Sequence, residues 1–320
     1  MEPIILRDTA SGATAKIAPE LGFNCFEYTV PIDDETVSVI DAAPDFLEGN
    51  QSPSGHGIPI LFPYPNRIRG GKFTWDGKEY FLPPEKVSYN KDNAIHGFCL
   101  DRPWQVSDQG ENYAVGEFLL SREAPDRREL WPADFRLEVR YSVEDTTLRT
   151  DIRVTNPDKV PLPWGFGTHP YFKLPLGGES DPARCLIEAP ATAHWELIDC
   201  LPTGAKKPIP PEIDLRQGAY FDVLKIDDVL TGLPRGPEPI RCTIWDESAG
   251  LQLEQISDSV FQELVVYVPP GRAAVCLEPY TCVTDAINLE TQDFKTGWQV
   301  LPPGETWESQ IAIRVGRIIV

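Results

Sequence analysis

Proline occupies 32 of the 320 positions of this chain, and glycine another 24. A proline inside a helix removes a hydrogen bond and clashes with the preceding turn. Such a density therefore breaks long helices and suits many short strands joined by turns. The segments between the breakers carry the matching pattern. Residues 135–143 alternate Phe135, Leu137, Val139, Tyr141 and Val143 with Arg136, Glu138, Arg140 and Ser142. That period of two marks a strand with one face on a core and the other in water. Residues 148–155 oppose Leu148, Ile152 and Val154 to Arg149, Asp151 and Arg153, and Glu144-Asp145-Thr146-Thr147 between the two runs reads as a hairpin turn. Asp76-Gly77 joins two further β-prone arms, a strong two-residue turn signal because both central positions need positive φ. Residues 307–315 alternate again, while helical signal is confined to a turn or two near 43–48 and 284–289. No heptad, fixed repeat, low-complexity tract or composition shift marks a linker. The expected fold is one all-β domain over 1–320, a large antiparallel β-sandwich.

Charge narrows the partners. The chain has 29 Lys and Arg against 49 Asp and Glu, a net charge of −20. That surplus repels nucleic acid and anionic membranes over most of the surface and weakly disfavours a highly phosphorylated substrate. No run of about 20 apolar residues exists to form a spanning helix. The first residues lack the basic end and apolar run of a signal peptide. The seven cysteines, at 25, 99, 185, 200, 242, 276 and 282, form no C-x-x-C pair and are odd in number. Buried, reduced thiols in a cytoplasm are expected. The partner expected is a small molecule, and the sequence does not fix an oligomeric state.

Acid/base candidates are few. Of four histidines, His56, His96 and His169 adjoin Gly or Pro, at turns or loop edges where side chains converge on sites. Each taken alone could equally be a surface or hydrogen-bonded histidine. His56 is either at a cleft rim or capping a loop, and His194 is read as structural. Glu278 sits between Leu277 and Pro279 at the end of the apolar run 273–277. A carboxylate there is costly unless it is paired or lies beside a cleft. Nucleotide-binding glycine motifs, a G-x-S-x-G elbow, H-E-x-x-H and EF-hand spacings are all missing. A histidine–carboxylate metal site has no close H-x-H pair to support it. No metal and no cofactor is expected.

Four segments stand out in order. Asn66-Arg67-Ile68 precedes the Asp-Gly hairpin; His96-Gly97 is followed by Trp104; His169-Pro170-Tyr171-Phe172-Lys173-Leu174 follows; and Leu277-Glu278 precedes Ala286-Ile287-Asn288. Together, and with the closing Pro303-Gly304-Glu305, they resemble the aldose 1-epimerase (mutarotase) family over nearly the whole chain. The resemblance implies a β-supersandwich with a sugar cleft that interconverts the α and β anomers of a free aldose such as galactose or glucose, without a cofactor. In that reading Glu278 matches the general base and His169 the general acid. His96 matches a second histidine near the ring oxygen. Asn66, Arg67 and Asp227 match hydroxyl-binding positions, and Tyr171 lies in the same binding segment as His169.

Three positions depart from the family pattern. Thr168 replaces a common Asn, Asp228 follows Asp227 where His or Arg is common, and Val265-Val266-Tyr267 occupies a strand where some relatives carry a Gln. Phe62, Tyr64, Trp164, Tyr171 and Phe172 are candidates to stack on a sugar, with burial in the core as the competing reading. A hexose-6-phosphate mutarotase and a non-catalytic carbohydrate-binding protein remain the rival functions.

Overall fold

The computed structural model describes residues 1–292 and 294–318. The period-two segments become strands of two large sheets. The first has nine strands in the spatial order Gln105–Gln109, Tyr113–Leu119, Arg136–Glu144, Thr147–Thr155, Thr306–Arg317, Leu251–Ser257, Ile240–Asp246, Cys185–Glu188 and Ala219–Tyr220. The second has eight. Its order is Leu201–Pro208, Ala193–Ile198, Asp227–Thr231, Glu263–Tyr267, Ala274–Tyr280, Gly167–Thr168 and Ile60–Leu61, with Tyr171–Lys173 also paired to Ala274–Tyr280. A four-stranded sheet of Ile4–Arg7, Thr14–Ala18, Asn24–Ile32 and Glu35–Ser38 adjoins them. Strand pairing within these sheets is antiparallel, so the all-β sandwich expected from the sequence is the fold found.

Local expectations hold where the pattern was strongest. The hairpin of Arg136–Glu144 and Thr147–Thr155 pairs Arg136 with Thr155 and Glu144 with Thr147. The Asp76-Gly77 turn joins Lys72–Trp75 to Lys78–Phe81. The two weak helical signals become a 3-10 turn at Phe46–Glu48 and a short α-helix at Ala286–Glu290. Five short helical pieces were not expected, Arg69–Gly71, Leu120–Glu123, Pro125–Leu130, Pro182–Arg184 and Pro211–Ile213, and three of them open on a proline that fits a first helical position. All seven cysteines are free. Six are buried, but Cys200 is only partly so, at a turn with φ +62°. Among the described residues no helix is long and apolar enough to cross a membrane.

The packing explains why a polar site can sit in this fold. Leu137, Ile152, Val154, Leu253 and Ile313 of the nine-stranded sheet share one apolar core with Leu264, Val266, Val275 and Leu277 of the eight-stranded sheet. The opposite face of the eight-stranded sheet is covered too, by a second cluster that includes Leu61, Trp195, Val229, Val265, Tyr280 and Leu289. Ala274–Tyr280 is therefore buried at every position. Its odd-numbered residues 275 and 277 enter the main core. Cys276, Glu278 and Tyr280 face the other way, as alternation in a strand requires.

Candidate active site

Antiparallel register assembles the floor of a cleft on that outer face. Tyr171 pairs with Cys276, Cys276 with Tyr267, and Tyr267 with Asp227. One step along, Glu278 pairs with Val265. His169 follows Gly167–Thr168, whose Gly167 pairs with Tyr280. A β-carbon on Gly167 would lie 2.3 Å from the Tyr280 ring, so only glycine lets the two strands close at this point.

The opposite wall comes from two turns held in an unusual backbone conformation. Asn66 and His96 both have positive φ, +55° and +65°. Asparagine and histidine enter this region more readily than most side chains, but at a cost that the surroundings must supply. Those surroundings are specific. The His96 amide donates to the Asn66 carbonyl at 2.8 Å, and Ile95 pairs with Arg67. Gly97 follows at φ +78°, where a β-carbon would lie 2.1 Å from the Phe62 carbonyl oxygen. Asp285 anchors the Asn66–Arg67 turn from below. Its amide donates to the Arg67 carbonyl, and its carboxylate accepts from the Arg69 amide and the Asn288 side chain. The Ala286-Ile287-Asn288 motif thus supports the wall and does not line the cleft.

The cleft holds about 530 Å³ and is lined by all seven residues singled out in the sequence: Asn66, Arg67, His96, His169, Tyr171, Asp227 and Glu278. At its floor, His169 Nε2 lies 3.3 Å from Glu278 Oε1. Glu278 is 1% exposed and His169 7%. The Tyr280 hydroxyl donates to the other carboxylate oxygen, Oε2, at 2.5 Å. Arg67 Nη1 donates to Asn66 Oδ1 at 2.8 Å, which aims the guanidinium along the wall. The His96 and His169 rings meet edge to face with centroids 5.6 Å apart, and the Tyr171 ring stacks on His169 at 4.7 Å and 11°.

Burial acts on both members of the floor pair in the direction of neutrality. It pushes the Glu278 carboxyl well above its usual range, with the Asp227 charge adding to the rise and the Tyr280 hydrogen bond and Arg67 opposing it. It pulls the His169 imidazole down to about 3, assisted by the Arg272 charge. His96 is lowered as well, by burial first and then by His169 and Arg67. The pair therefore holds one proton over a wide pH range, seated on the Glu278 carboxyl with the His169 imidazole neutral 3.3 Å away.

The structure decides between the alternatives left open by the sequence. Phe62, Tyr64, Trp164 and Phe172 lie in the main core and do not line the cleft. Only Tyr171 of that group faces it. His56 is not on the cleft wall; its Nδ1 accepts from the Ala43 amide at 3.2 Å and so holds a loop. His194 stands 3.6 Å from Asp228. Conversely, Tyr280, Tyr267, Ser52, Ser54, Ser88 and Asn90 belong to the site or its support and were not singled out. Tyr280 was within reach of the sequence, since it lies two residues from Glu278 on the same strand face.

Among the described residues, one group of three potential metal donors exists: His169, Cys276 and Glu278, with ligand atoms within 4.8 Å of one another. Its imidazole and carboxylate are the floor pair itself. Cys276 is wholly buried with its thiol pKa raised by burial, so a metal there would have to displace a proton from an unfavourable environment.

Comparison with known proteins agrees with the geometry. The family model described as aldose 1-epimerase matches residues 11–314. The uncharacterized protein YihR of Escherichia coli is 26% identical over 240 residues, 74% of this chain and 74% of its own. Galactose mutarotase of Rattus norvegicus is 29% identical over 163 residues, 50% of this chain and 43% of its own length. Among solved structures, a galactose mutarotase-like protein from Clostridium acetobutylicum superposes with a TM-score of 0.81 at 22% identity, covering 96% of this chain and 93% of that one. An aldose epimerase homologue from C. elegans gives 0.81 at 20% identity, covering 99% and 100%. These two structures share the fold, and the family model reaches across both large sheets and every wall of the cleft. The chain belongs to the aldose 1-epimerase family.

Proposed function

We propose that the protein is a cofactor-independent mutarotase acting on a free aldose such as galactose or glucose, with Glu278 as general base and His169 as general acid. The observation that carries this reading is the contact of His169 Nε2 and Glu278 Oε1 at 3.3 Å on the floor of a cleft walled by polar side chains. Mutarotation removes a proton from the C1 hydroxyl and delivers one to the ring oxygen. Both oxygens are bonded to the same carbon, so the two proton-transfer groups must both reach the substituents of that one carbon. A carboxyl and an imidazole in contact meet that demand once their one proton has moved from Glu278 to His169, which makes the carboxylate the base and the imidazolium the acid. The ring opens to the aldehyde, C1 rotates about the C1–C2 bond, and closure reverses both transfers. Those reverse transfers themselves restore the carboxylate and the imidazolium.

The remaining residues fit the task of holding the sugar while C1 turns. Arg67, Asn66 and Asp227 offer donors and acceptors to hydroxyls from two walls, His96 faces the acid, and Tyr171 presents a hydroxyl and a ring edge beside it. Arg67 is the only Lys or Arg among the cleft-lining residues, against Asp227 and Glu278. A phosphoryl group calls for several cations or a bidentate clamp, which favours an unphosphorylated substrate.

Glu278→Gln and His169→Ala are each expected to cut catalysed anomer exchange by at least about a hundredfold with the fold retained. Polarimetry or NMR exchange over galactose, glucose, xylose and arabinose reads this directly. Near-normal rates in either variant would remove the assignment. Saturable sugar binding by the wild type without acceleration would make the protein a carbohydrate-binding module.

A further inference from the structure

Arg272 is absent from the cleft lining. It opens instead onto a separate hollow of about 280 Å³, beside Asp41, His56 and Lys173. Its guanidinium is nevertheless fixed on three sides. Nε and Nη2 donate to Asp41 Oδ2 at 2.9 and 2.5 Å, and Nη1 donates to the Gly55 carbonyl at 2.7 Å. The guanidinium carbon lies 4.6 Å from the centroid of the Tyr171 ring. That same ring stacks on His169 at 4.7 Å and nearly parallel, while its hydroxyl donates to the Ser54 carbonyl at 3.0 Å. We propose that Arg272, anchored by Asp41, is a positioning residue for His169 and acts through the ring of Tyr171.

The need for such a device is visible at His169 itself. A working imidazole is usually oriented by a hydrogen bond to its far nitrogen. Here Nδ1 of His169 is buried without a hydrogen-bond partner. Its ring plane is set by stacking on Tyr171, and Tyr171 is set by its hydroxyl at one end and the guanidinium on its ring. Cation–π attraction is strongest when the cation is desolvated and immobile, and the Asp41 and Gly55 contacts supply the immobility.

The fixed charge also bears on proton affinity. An imidazolium stacked on a ring already engaged by a cation is disfavoured, which makes the proton on His169 easier to give up. The other groups facing His169 are Glu278 and Cys276 from Ala274–Tyr280, Tyr267 from Glu263–Tyr267 and His96 from the opposite turn, with Arg67 and Asp227 in the same cleft. Arg272 itself faces Asp41 and His56. None of these others carries a fixed positive charge against the Tyr171 ring.

The proposal rests on His169 being the proton-transfer group, and its test separates the two. Arg272→Met keeps the length and removes the charge. It is expected to lower kcat about tenfold with KM within twofold, and to raise the midpoint of the His169 imidazole titration, followed by NMR of ¹⁵N-histidine-labelled protein. Arg272→Lys keeps the charge and is expected to return the midpoint toward wild type. In a Tyr171→Leu background, Arg272→Met should add no further loss. Wild-type kcat with an unmoved titration, or a fall in Tm alone, would overturn the proposal. If Arg272→Met does not fold, Asp41→Asn frees the guanidinium and is expected to shift kcat and the titration in the same directions; no shift overturns the proposal equally. A wild type that accelerates no aldose defeats the mutarotase reading, and the titration still decides the coupling.

Discussion

Moving a carboxyl and an imidazole out of water displaces their pKa values in opposite senses, and at Glu278 and His169 the two displacements have one consequence. Exposed, the groups would titrate near 4.5 and 6.5, so a pair holding a single proton would exist only between those values. Buried, the second proton binds only as the pH approaches about 3, where His169 titrates, and the last proton leaves only above the raised Glu278 value. The single-proton pair thus persists through the range in which a free histidine would gain its charge. Catalysed kcat/KM, corrected for the solvent reaction, is expected to stay level from pH 7 down to about pH 5. An acid limb centred near 6.5 would mean that His169 titrates as an exposed imidazole and that the floor pair is not as described. At the wall, Asn66 tolerates positive φ and gives its carbonyl oxygen to Arg67. Asn66→Gly keeps the conformation and loses the aim. Its expected signature in steady-state kinetics is a KM raised severalfold with kcat little changed, because the proposed mutarotase places Arg67 on hydroxyls away from the reacting bond.

At the scale of elements, the strand Ala274–Tyr280 and its neighbour Glu263–Tyr267 do most to define the site. Their burial on both faces explains what the sequence could and could not disclose. Hairpins such as Arg136–Glu144 with Thr147–Thr155 were legible because one face meets water and the alternation is written in charges. In Ala274–Tyr280 no face meets water, so periodicity says nothing about direction, and Glu278 was found only as a carboxylate stranded in an apolar run and through its motif. The same two-sided burial hid Phe62 and Trp164 among the core. Cys276 and Tyr267 reach the site, and Arg272 its flank, only through strand register and tertiary packing, which no local pattern encodes. Glu263 gives this element a measurable property. Its carboxyl is 3% exposed, accepts from Trp195 Nε1 at 2.8 Å, and has as cations only the distant Lys206, at 3.9 Å, and Arg235, too far to form an ion pair. Burial raises its pKa to about 7. Between 4.5 and 7 the folded protein therefore holds a proton that the unfolded chain has released, so stability falls as pH rises through this window. The contribution is on the order of 3 kcal/mol. Glu263→Gln should flatten the denaturant-measured stability profile between pH 5 and 7 relative to wild type. An unchanged slope would show that the carboxylate is already ionised in the fold.

The whole molecule contributes a field. Its net charge of −20 is spread over a surface where many cations are already committed, as in Arg153 with Glu308, Arg314 with Glu254 and Arg317 with Asp33. A neutral sugar approaches such a protein without penalty, while a sugar phosphate meets repulsion first and then a cleft whose one lining cation, Arg67, shares it with Asp227. The two substrate classes are thus separable by salt. For a free aldose, kcat/KM should be independent of ionic strength. For glucose 6-phosphate it should be at least about tenfold lower than for glucose at 0.01 M ionic strength, where the Debye length is roughly 30 Å. That gap should narrow toward 1 M, where the length is about 3 Å and only the local contacts of the cleft still discriminate. Anomer exchange of both sugars across that series measures the field and the cleft separately. Faster turnover of the phosphate at low salt would require a basic site that the cleft-lining residues do not provide, and would move the protein to the phosphorylated-sugar branch of its chemistry.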